Sequence, residues 1–228
     1  MPDYKKEAAK AALQFIKKGH VVGFGAGSTI KYLVDFIAED NSLAKSLTVF
    51  TSSFATRNHL HQLGFTVNDP ATIHHLDLYF DGCDQFDSNL NVLKSGGGIH
   101  TMEKLLAGMA TEFIILGDES KYVEKLHATY PLVIEVIPEA ISLVLYRLKE
   151  IFNSADAVIR LSDKKDGAVI TEHGNYLVDV MFKNLPEPEF INSKVKGITG
   201  VLEHSLFYQM AHKAVIAGVS GVKLINPK

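Results

Sequence analysis

The chain has 228 residues, of which 46% are hydrophobic and 21% are charged, so it can bury a sizeable core and lacks the composition of a disordered protein. Its formal net charge of -3 gives no basic footprint for binding nucleic acid. The single cysteine, Cys83, excludes an internal disulfide framework and fits a reducing compartment.

The chain begins with MPDYKKEAAKAAL, which is the pattern of a charged amphipathic helix and not of a secretory signal peptide with its apolar core. No stretch approaches the ~18 consecutive apolar residues of a membrane span. We therefore expect a cytoplasmic protein that makes no use of a membrane.

Helical and extended patterns alternate along the first part of the chain. Apolar residues at helical spacing predict helices over residues 3–17, 30–38, 54–63 and 99–109. Short apolar runs predict strands over residues 20–23, 47–50, 65–67, 76–80 and 112–117. This alternation indicates an open α/β sheet.

The pattern changes after Pro131. A half-buried strand over residues 132–137 and a helix over 138–152 are followed by short strands over 157–161, 169–171, 176–182 and 198–203, with a polar, helix-compatible connection over 186–196. One helix followed by several short strands indicates a small α+β unit. Strands over residues 214–217 and 221–225 are expected to rejoin the main sheet.

A glycine-rich turn, G-F-G-A-G-S-T over residues 23–29, joins the first strand to the next helix. Glycines let backbone amides approach an anion, and a helix N-terminus adds partial positive charge. The glycine spacing is not that of a dinucleotide site, the second strand ends in Thr-Ser-Ser without an acid, and the Gly-Lys-Ser/Thr of a P-loop is missing. A small phosphate monoester is favoured over NAD or ATP, and a tight turn without a ligand stays open.

Ionisable residues concentrate around a second glycine turn, residues 96–98. Asp81 and Asp84 follow a buried strand, Lys94 precedes the glycines, and Glu103 lies in the first turn of the next helix. Ligands of open α/β sheets bind at such strand ends. The set predicts acid–base chemistry on a phosphorylated polyol through an enediolate, with Glu103 as base, Lys94 as oxyanion partner and either aspartate moving hydroxyl protons. Helix-dipole compensation by Glu103 and a surface Lys94–Asp84 pair are the structural alternatives.

Other polar residues leave two interpretations open. Lys5 and Lys6 are either solvated lysines of the first helix or anion contacts, and Lys121 is either solvated or a further contact to phosphate or hydroxyl. The ten histidines do not show the spacing of a zinc site, so we expect no metal and no other cofactor.

Together these motifs closely resemble type A ribose-5-phosphate isomerases over nearly the whole chain. The resemblance rests on several motifs in the family's order, namely GAGST at 25–29, TSS at 51–53, DGCD at 81–84, KSGGG at 94–98, EK at 103–104, DESK at 118–121, EVIP at 135–138, GN at 174–175 with Asp179, and GV at 200–201.

This resemblance implies a Rossmann-like open sheet with helices on both faces, formed by residues 1–130 and 206–228, and a smaller α+β, ferredoxin-like domain over residues 131–205. It implies interconversion of D-ribose 5-phosphate and D-ribulose 5-phosphate, in the non-oxidative branch of the pentose phosphate pathway, by a homodimer or homotetramer without a metal or organic cofactor.

The resemblance also implies roles for single residues. Glu103 corresponds to the base that moves a proton between C1 and C2, Lys94 to the lysine that stabilises the enediolate, and Asp81 to the acid of ring opening, with Asp84 as its partner. The implied substrate-binding residues are Lys5 (or Lys6), Ala26, Gly27, Ser28, Thr29, Gly82, Cys83, Ser95, Gly96, Gly97 and Lys121.

The sequence departs from the family's usual motifs at a few positions. Ala26 replaces the threonine of GTGST, Gln85 the glutamate of DGADE, Ser95 the first glycine of KGGGG, and Ser205 the glycine of GLF. A non-catalytic or altered-specificity sugar-phosphate-binding paralogue is therefore one alternative. A related sugar-phosphate enzyme, such as an amino-sugar phosphate deaminase, is another, although the residues from Asp81 to Glu103 fit it poorly.

Overall fold

The computed structural model describes residues 3–227. The α-helices are, in chain order, α1 (Tyr4–Ala12), α2 (Ser28–Glu39), α3 (Asn41–Ala44), α4 (Phe54–Gln62), α5 (His100–Met109), α6 (Ile141–Ile151) and α7 (Pro188–Val195). The β-strands are β1 (Val21–Phe24), β2 (Thr48–Thr51), β3 (Leu76–Asp81), β4 (Gln85–Phe86), β5 (Val92–Leu93), β6 (Ala110–Asp118), β7 (Leu132–Val136), β8 (Asp156–Ile159), β9 (Tyr176–Met181), β10 (Val201–His204), β11 (Leu206–Phe207), β12 (Lys213–Gly218) and β13 (Gly221–Ile225). Over the described part of the chain, no helix is both long enough and apolar enough to cross a membrane.

A six-stranded sheet with the order β13-β12-β6-β3-β1-β2 forms the centre of the fold. All neighbouring strands are parallel except β13, which pairs antiparallel with β12. The chain leaves β1 toward β2 on one side and then returns to β3 on the other, so the carboxyl ends of β1 and β3 border the crevice where ligands of such sheets bind.

Both faces of this sheet are covered, because successive residues of its strands point to opposite sides. Phe80 and Ile114 join one core with residues of α1, α2 and α4, including Leu33 and Leu60. Tyr79 and Ile115 join the other core, with α5 and the short strands β5 and β11. The expected α/β fold with a mostly parallel sheet and helices on both faces is confirmed.

A second, antiparallel sheet has the order β10-β7-β9-β8. Its inner face packs against α6 and α7 through a separate core, including Ile134, Val178, Val144 and Ile191. All of its strands lie between residues 132 and 204. The division of the chain into domains at residues 130/131 and 205/206 stays a prediction.

Three strand predictions were wrong. Residues 65–67 make a single bridge, between Val49 and Val67. The chain then enters a short 3₁₀ helix that begins at Pro70 and is capped by the Asp69 side chain. Within residues 169–171, Ile170 makes a single isolated bridge, with Tyr176. The strand β7 is buried along its whole length rather than half-buried, because its second face meets other parts of the protein. The two-residue strands β4, β5 and β11 were not predicted, since two residues carry no periodicity.

The approach of β10 to the turn before α6 requires glycine at position 200. Gly200 has a φ of +93°, and a Cβ there would overlap Ala140 Cβ. We expect Gly200→Ala to lower the free energy of unfolding by roughly 2 kcal/mol or more, through left-handed strain and steric overlap together. Chemical denaturation measures this change.

Gly174→Ala is the matched control, because Gly174 also has a positive φ (+81°) but has no neighbour within 4 Å of its Cβ position. The control should show only the strain. Equal losses in the two variants would show that the overlap at Gly200 is relieved without cost.

Candidate active site

A cavity of about 300 Å³ lies at the carboxyl ends of β1, β3 and β6. The predicted site residues that line it are Lys5, Ala26, Gly27, Ser28, Thr29, Gly82, Cys83, Asp84, Lys94, Gly96, Gly97, Glu103 and Lys121. Leu116, Gly117 and Asp118 also line it and were not predicted as site residues. The remaining two, Asp81 and Ser95, lie behind its wall. The structure thus brings the predicted residues together, while their roles stay predictions.

The ammonium of Lys94 is the central charge of this cavity. Its Nζ lies 3.0 Å from Asp81 Oδ2 and 3.4 Å from Glu103 Oε1, and it donates to the carbonyl oxygen of Gly82 at 2.5 Å. All three charged side chains are at least nine-tenths buried. The alternative of a surface pair between Lys94 and Asp84 is therefore wrong.

Asp81 is held by four donors. Its Oδ1 accepts from the backbone N–H of Ala26 (3.1 Å) and Gly82 (2.8 Å), and its Oδ2 accepts from the Tyr79 hydroxyl (2.7 Å) in addition to Lys94. A Cβ on Gly25 would overlap the Asp81 carboxyl group. The first glycine turn therefore leaves the space that Asp81 occupies.

Glu103 has a very different environment from Asp81. Burial and the nearby Asp81 carboxylate raise the pKa of Glu103 above its usual 4.5, although Lys94 opposes this. Burial alone would lower the pKa of Lys94, but the Asp81 and Glu103 carboxylates outweigh it and raise that pKa, so Lys94 stays charged. A carboxyl with a raised pKa beside a permanent cation is suited to taking up and returning a proton near neutral pH.

The second glycine turn is fixed on its inner side by Asp84. Asp84 Oδ2 accepts from the N–H of Ser95 (2.5 Å) and of Gly96 (3.2 Å). Ser95 turns its hydroxyl away from the cavity and donates to the Pro131 carbonyl at 2.5 Å. Asp84 thus shapes the turn as well as lining the cavity.

Helix α5 is held at both sides of Glu103. The Thr101 hydroxyl donates to the buried Glu135 carboxylate, which also accepts from Thr171 and Asn175, each at 2.8 Å. The ammonium of Lys104 donates to Glu203 at 2.9 Å and to two carbonyl oxygens near β11. Strands of the second sheet therefore fix the direction in which Glu103 points.

The opposite end of the cavity collects hydrogen-bond donors and positive charge. Gly27, with a φ of +96°, precedes α2, and Ser28 and Thr29 form the first residues of that helix. Its free N–H groups and the ammonium groups of Lys5 and Lys121 face the same cavity. Lys6 instead lies over the Phe36 ring, with its Nζ 5.9 Å from the ring centroid. Of the two lysines left open from the sequence, Lys5 is the one that lines the cavity.

The sequence and the fold are both similar to those of known proteins. Residues 48–221 match the family model described as ribose 5-phosphate isomerase A (phosphoriboisomerase A). The ribose-5-phosphate isomerase A of Pyrococcus furiosus is 36% identical over 98% of this chain and 98% of its own length. The chain belongs to the ribose 5-phosphate isomerase A family. Residues 1–68 also match a model described as the DeoR C terminal sensor domain.

Solved structures of the isomerase family have the same fold. Ribose 5-phosphate isomerase A from Methanocaldococcus jannaschii matches with a TM-score of 0.89 at 33% identity, covering 97% of both chains. A D-ribose-5-phosphate isomerase solved in complex with phospho-erythronic acid matches with a TM-score of 0.90 at 33% identity and the same coverage.

Three of the four departures from the family's motifs have structural explanations. Gln85 is buried and exchanges two hydrogen bonds with the backbone of His127, donating at 2.6 Å and accepting at 3.3 Å, which an ionised glutamate could not do. Ser95 gains the bond to Pro131 that a glycine would lack. Ser205 accepts from the N–H of Val133 at 2.9 Å. Gln85, Ser95 and Ser205 do not line the cavity, whereas Ala26 does.

Several supporting residues of this isomerase site were not recognised as such from the sequence. Arg160 donates to the Ser95 carbonyl group, 65 residues away, and Glu135 and Asn175 support Thr101 of α5, so no local pattern revealed these residues. Tyr79 donates to Asp81 from two residues earlier on the same strand, where the sequence indicated a buried apolar run. Among the residues that the structure describes, no group of three or more histidine, cysteine, aspartate or glutamate side chains is arranged to hold a metal ion. Burial raises the pKa of the Cys83 thiol to about 12, so it does not supply a thiolate.

The environment of Glu103 should affect stability as well as chemistry. A carboxyl whose pKa is higher in the folded than in the unfolded protein makes the free energy of unfolding fall as pH rises above the unfolded value of 4.5. Glu103→Gln removes this titration. We expect the variant to gain stability over the wild type between about pH 5 and about pH 8, by on the order of 1 kcal/mol or more at the upper end.

Denaturant unfolding at a series of pH values measures this difference. Glu39→Gln is the control, because Glu39 is exposed at the carboxyl end of α2 and does not line the cavity. A stability gain for Glu103→Gln that shrinks with rising pH would contradict the raised pKa.

Proposed function

We propose that this protein interconverts D-ribose 5-phosphate and D-ribulose 5-phosphate through an enediolate, with Glu103 as the base. The observation that supports this best is the position of Glu103, buried beside the Lys94 ammonium and facing the cavity that has the anion site at its other end. Family membership supports the same substrate, because the relatives are named as isomerases of ribose 5-phosphate.

The substrate would be fixed by its phosphate group. The N-terminus of α2, the hydroxyl groups of Ser28 and Thr29, and the ammonium groups of Lys5 and Lys121 supply donors and positive charge for it. With the phosphate held there, the other end of an open-chain pentose reaches toward Glu103 and Lys94. Binding energy from the phosphate then positions the reacting carbons.

The proton transfer follows from the charges around Glu103. The carboxylate removes the proton from C2 of the aldose, the electron pair forms the C1–C2 double bond, and negative charge develops on O1. The Lys94 ammonium stabilises that charge. O1 then gains a proton while the O2 hydroxyl loses one, the C2–O2 double bond forms as the C1–C2 double bond is lost, and Glu103 returns its proton to C1 to give the ketose. A base with a raised pKa suits both halves of this transfer.

Hydroxyl protons and ring opening require a second group. Asp84 lines the cavity, and its two backbone hydrogen bonds both use Oδ2. Asp81 is fully buried behind Lys94 and is bonded on both oxygens. We therefore propose that Asp84 exchanges protons with the substrate, while Asp81 orients Lys94 and acts in ring opening through it.

The other functions considered receive less support. A non-catalytic sugar-phosphate-binding protein would have no need for a buried Glu103 with a raised pKa beside a cation. Gln85 and Ser95 have structural roles that do not alter the reacting groups. An amino-sugar phosphate deaminase would release ammonia from an amino sugar phosphate, which a direct assay distinguishes.

Glu103→Gln tests the assignment of the base. The amide keeps the shape of the side chain but cannot accept the proton, so we expect kcat for ribulose 5-phosphate formation to fall about 10²- to 10⁴-fold. Binding of ribose 5-phosphate, measured by calorimetry, should persist. Glu39→Gln should retain wild-type kcat.

Two results would contradict this assignment. A Glu103→Gln variant that retains a large share of kcat would remove Glu103 as base. A wild-type protein that binds ribose 5-phosphate without forming ribulose 5-phosphate would select the non-catalytic alternative.

Lys121→Met tests the proposed phosphate site. Removing one cation from the anion end should raise KM about 10-fold and weaken inhibition by inorganic phosphate, with a smaller effect on kcat. Lys125→Met is the control, because Lys125 is exposed and pairs with Glu187 at 2.5 Å. Unchanged KM and phosphate inhibition in Lys121→Met would exclude Lys121 as a phosphate contact.

We further propose that the protein acts in the cytoplasm as a homodimer or homotetramer, as its resemblance to the family implies. Light scattering of the purified protein distinguishes these two states from a monomer.

A further inference from the structure

Arg160 reaches from the second sheet to the back of the second glycine turn. It follows the last residue of β8, and its guanidinium is mostly buried. Its Nη2 donates to the Ser95 carbonyl oxygen at 2.9 Å, and its Nη1 donates to the Gly96 carbonyl oxygen at 3.3 Å. Two consecutive carbonyl groups of the turn are therefore bound by one side chain.

Asp179 on β9 holds the guanidinium in this position. Arg160 Nε lies 3.0 Å from both Asp179 oxygens, and Nη2 donates to Oδ1 at 2.6 Å. A guanidinium can satisfy this carboxylate and two carbonyl groups at once because its five N–H donors lie in one rigid plane. A lysine ammonium could not reproduce that geometry.

The two carbonyl groups belong to peptide units whose N–H groups point the opposite way, because trans peptides are planar. The Ser95 carbonyl group shares its peptide unit with the N–H of Gly96, which donates to Asp84. The Gly96 carbonyl group shares its peptide unit with the N–H of Gly97, a residue that lines the cavity. Within residues 3–227, the Gly97 N–H has no protein acceptor.

We propose that Arg160 is a positioning residue for the isomerase reaction. By fixing the Gly96 carbonyl, it aims the Gly97 N–H into the cavity as a donor for the oxygen on which enediolate charge develops. Its positive charge also polarises that peptide unit and strengthens the donor. This inference rests on the proposed function.

The third glycine of the turn fits this arrangement. Gly98 has a φ of +67°, and a Cβ there would lie 2.6 Å from Leu177 Cδ1 and 3.6 Å from Arg160 Nη1. A side chain at position 98 would therefore clash with Leu177, whereas its distance to Arg160 would be that of an ordinary van der Waals contact. Glycine at this position lets the turn pack against Leu177 of β9, the strand that also carries Asp179.

Arg160→Lys and Arg160→Ala test the inference in the full-length protein, with Arg147→Ala as the control. Arg147 is exposed, and its ion pair with Glu150 and its contact with the Tyr146 ring both lie on its own helix. We expect kcat to fall about 10- to 100-fold in both Arg160 variants. The inhibition constant of inorganic phosphate, which probes the other end of the cavity, should stay unchanged, and Arg147→Ala should behave as the wild type.

Two further measurements separate positioning from general stability. Hydrogen exchange at the amides of residues 96–98 should become faster in the Arg160 variants, while exchange in the central sheet stays slow. Added guanidinium ion should restore part of the kcat lost in Arg160→Ala but none of that lost in Glu103→Gln. Arg160→Lys, which keeps a positive charge near Asp179, serves as the readout if Arg160→Ala does not fold.

The outcomes distinguish this inference from the function on which it rests. Wild-type kcat in either folded Arg160 variant would overturn the inference. A proportional loss of kcat and of phosphate affinity, or faster exchange throughout the protein, would also overturn it, since these indicate general loss of structure. A wild-type protein without isomerase activity would instead contradict the proposed function.

Discussion

The site depends on one buried ammonium shared by two carboxylates. A charge removed from water is costly unless it is paired and hydrogen-bonded, and Lys94 is paired with both Asp81 and Glu103. One cation cannot neutralise two anions, so the negative charge of one of the two carboxylates is less well compensated than that of the other. Asp81 receives three further hydrogen bonds, two from backbone N–H groups and one from Tyr79, whereas the cation beside Glu103 is Lys94, at 3.4 Å. Burial and the neighbouring Asp81 carboxylate raise the pKa of Glu103, and Lys94 opposes them in part.

Two glycine turns make this asymmetry possible by bringing backbone close to charge. The first turn lacks a side chain where the Asp81 carboxyl group lies, so backbone amides can reach that carboxylate. The second turn offers its N–H groups to Asp84 on one side and its carbonyl groups to Arg160 on the other. Charged side chains thus fix both turns. The backbone N–H groups of the turns that do not bind these side chains are left for a ligand in the cavity.

Much of the site could be predicted from the sequence because its parts follow strand ends. Asp81 ends a strand, Ser28 and Thr29 begin a helix after a glycine turn, and Glu103 begins another helix. Parallel strands bring such ends to one edge of the sheet, so local patterns were enough to place them together. The family resemblance then gave them roles.

The parts that were missed depend on contacts across long stretches of sequence. Arg160 lies 65 residues from Ser95, and Glu135 lies 34 residues from Thr101. Each appears in the sequence as an ordinary polar residue of a strand region. The full burial of β7 was also missed, because an alternating pattern does not reveal that its second face is covered. Likewise, the sequence left a surface pair of Lys94 with Asp84 as an alternative, and the fold shows that the ammonium group points inward to Asp81.

The anchoring of α5 and of the second glycine turn has a consequence for engineering this protein. Residues of the second sheet hold α5 through Glu135 and Glu203, and the Pro131 carbonyl group, at the start of that segment, accepts from the hydroxyl of Ser95. A shortened protein that kept only the six-stranded sheet would retain the first glycine turn and the N-terminus of α2, but it would lose the restraints on Lys94 and Glu103. If the proposed roles hold, such a fragment would bind an anion without catalysing the reaction. An engineered protein that is to keep the arrangement of Lys94 and Glu103 would therefore need to contain both sheets.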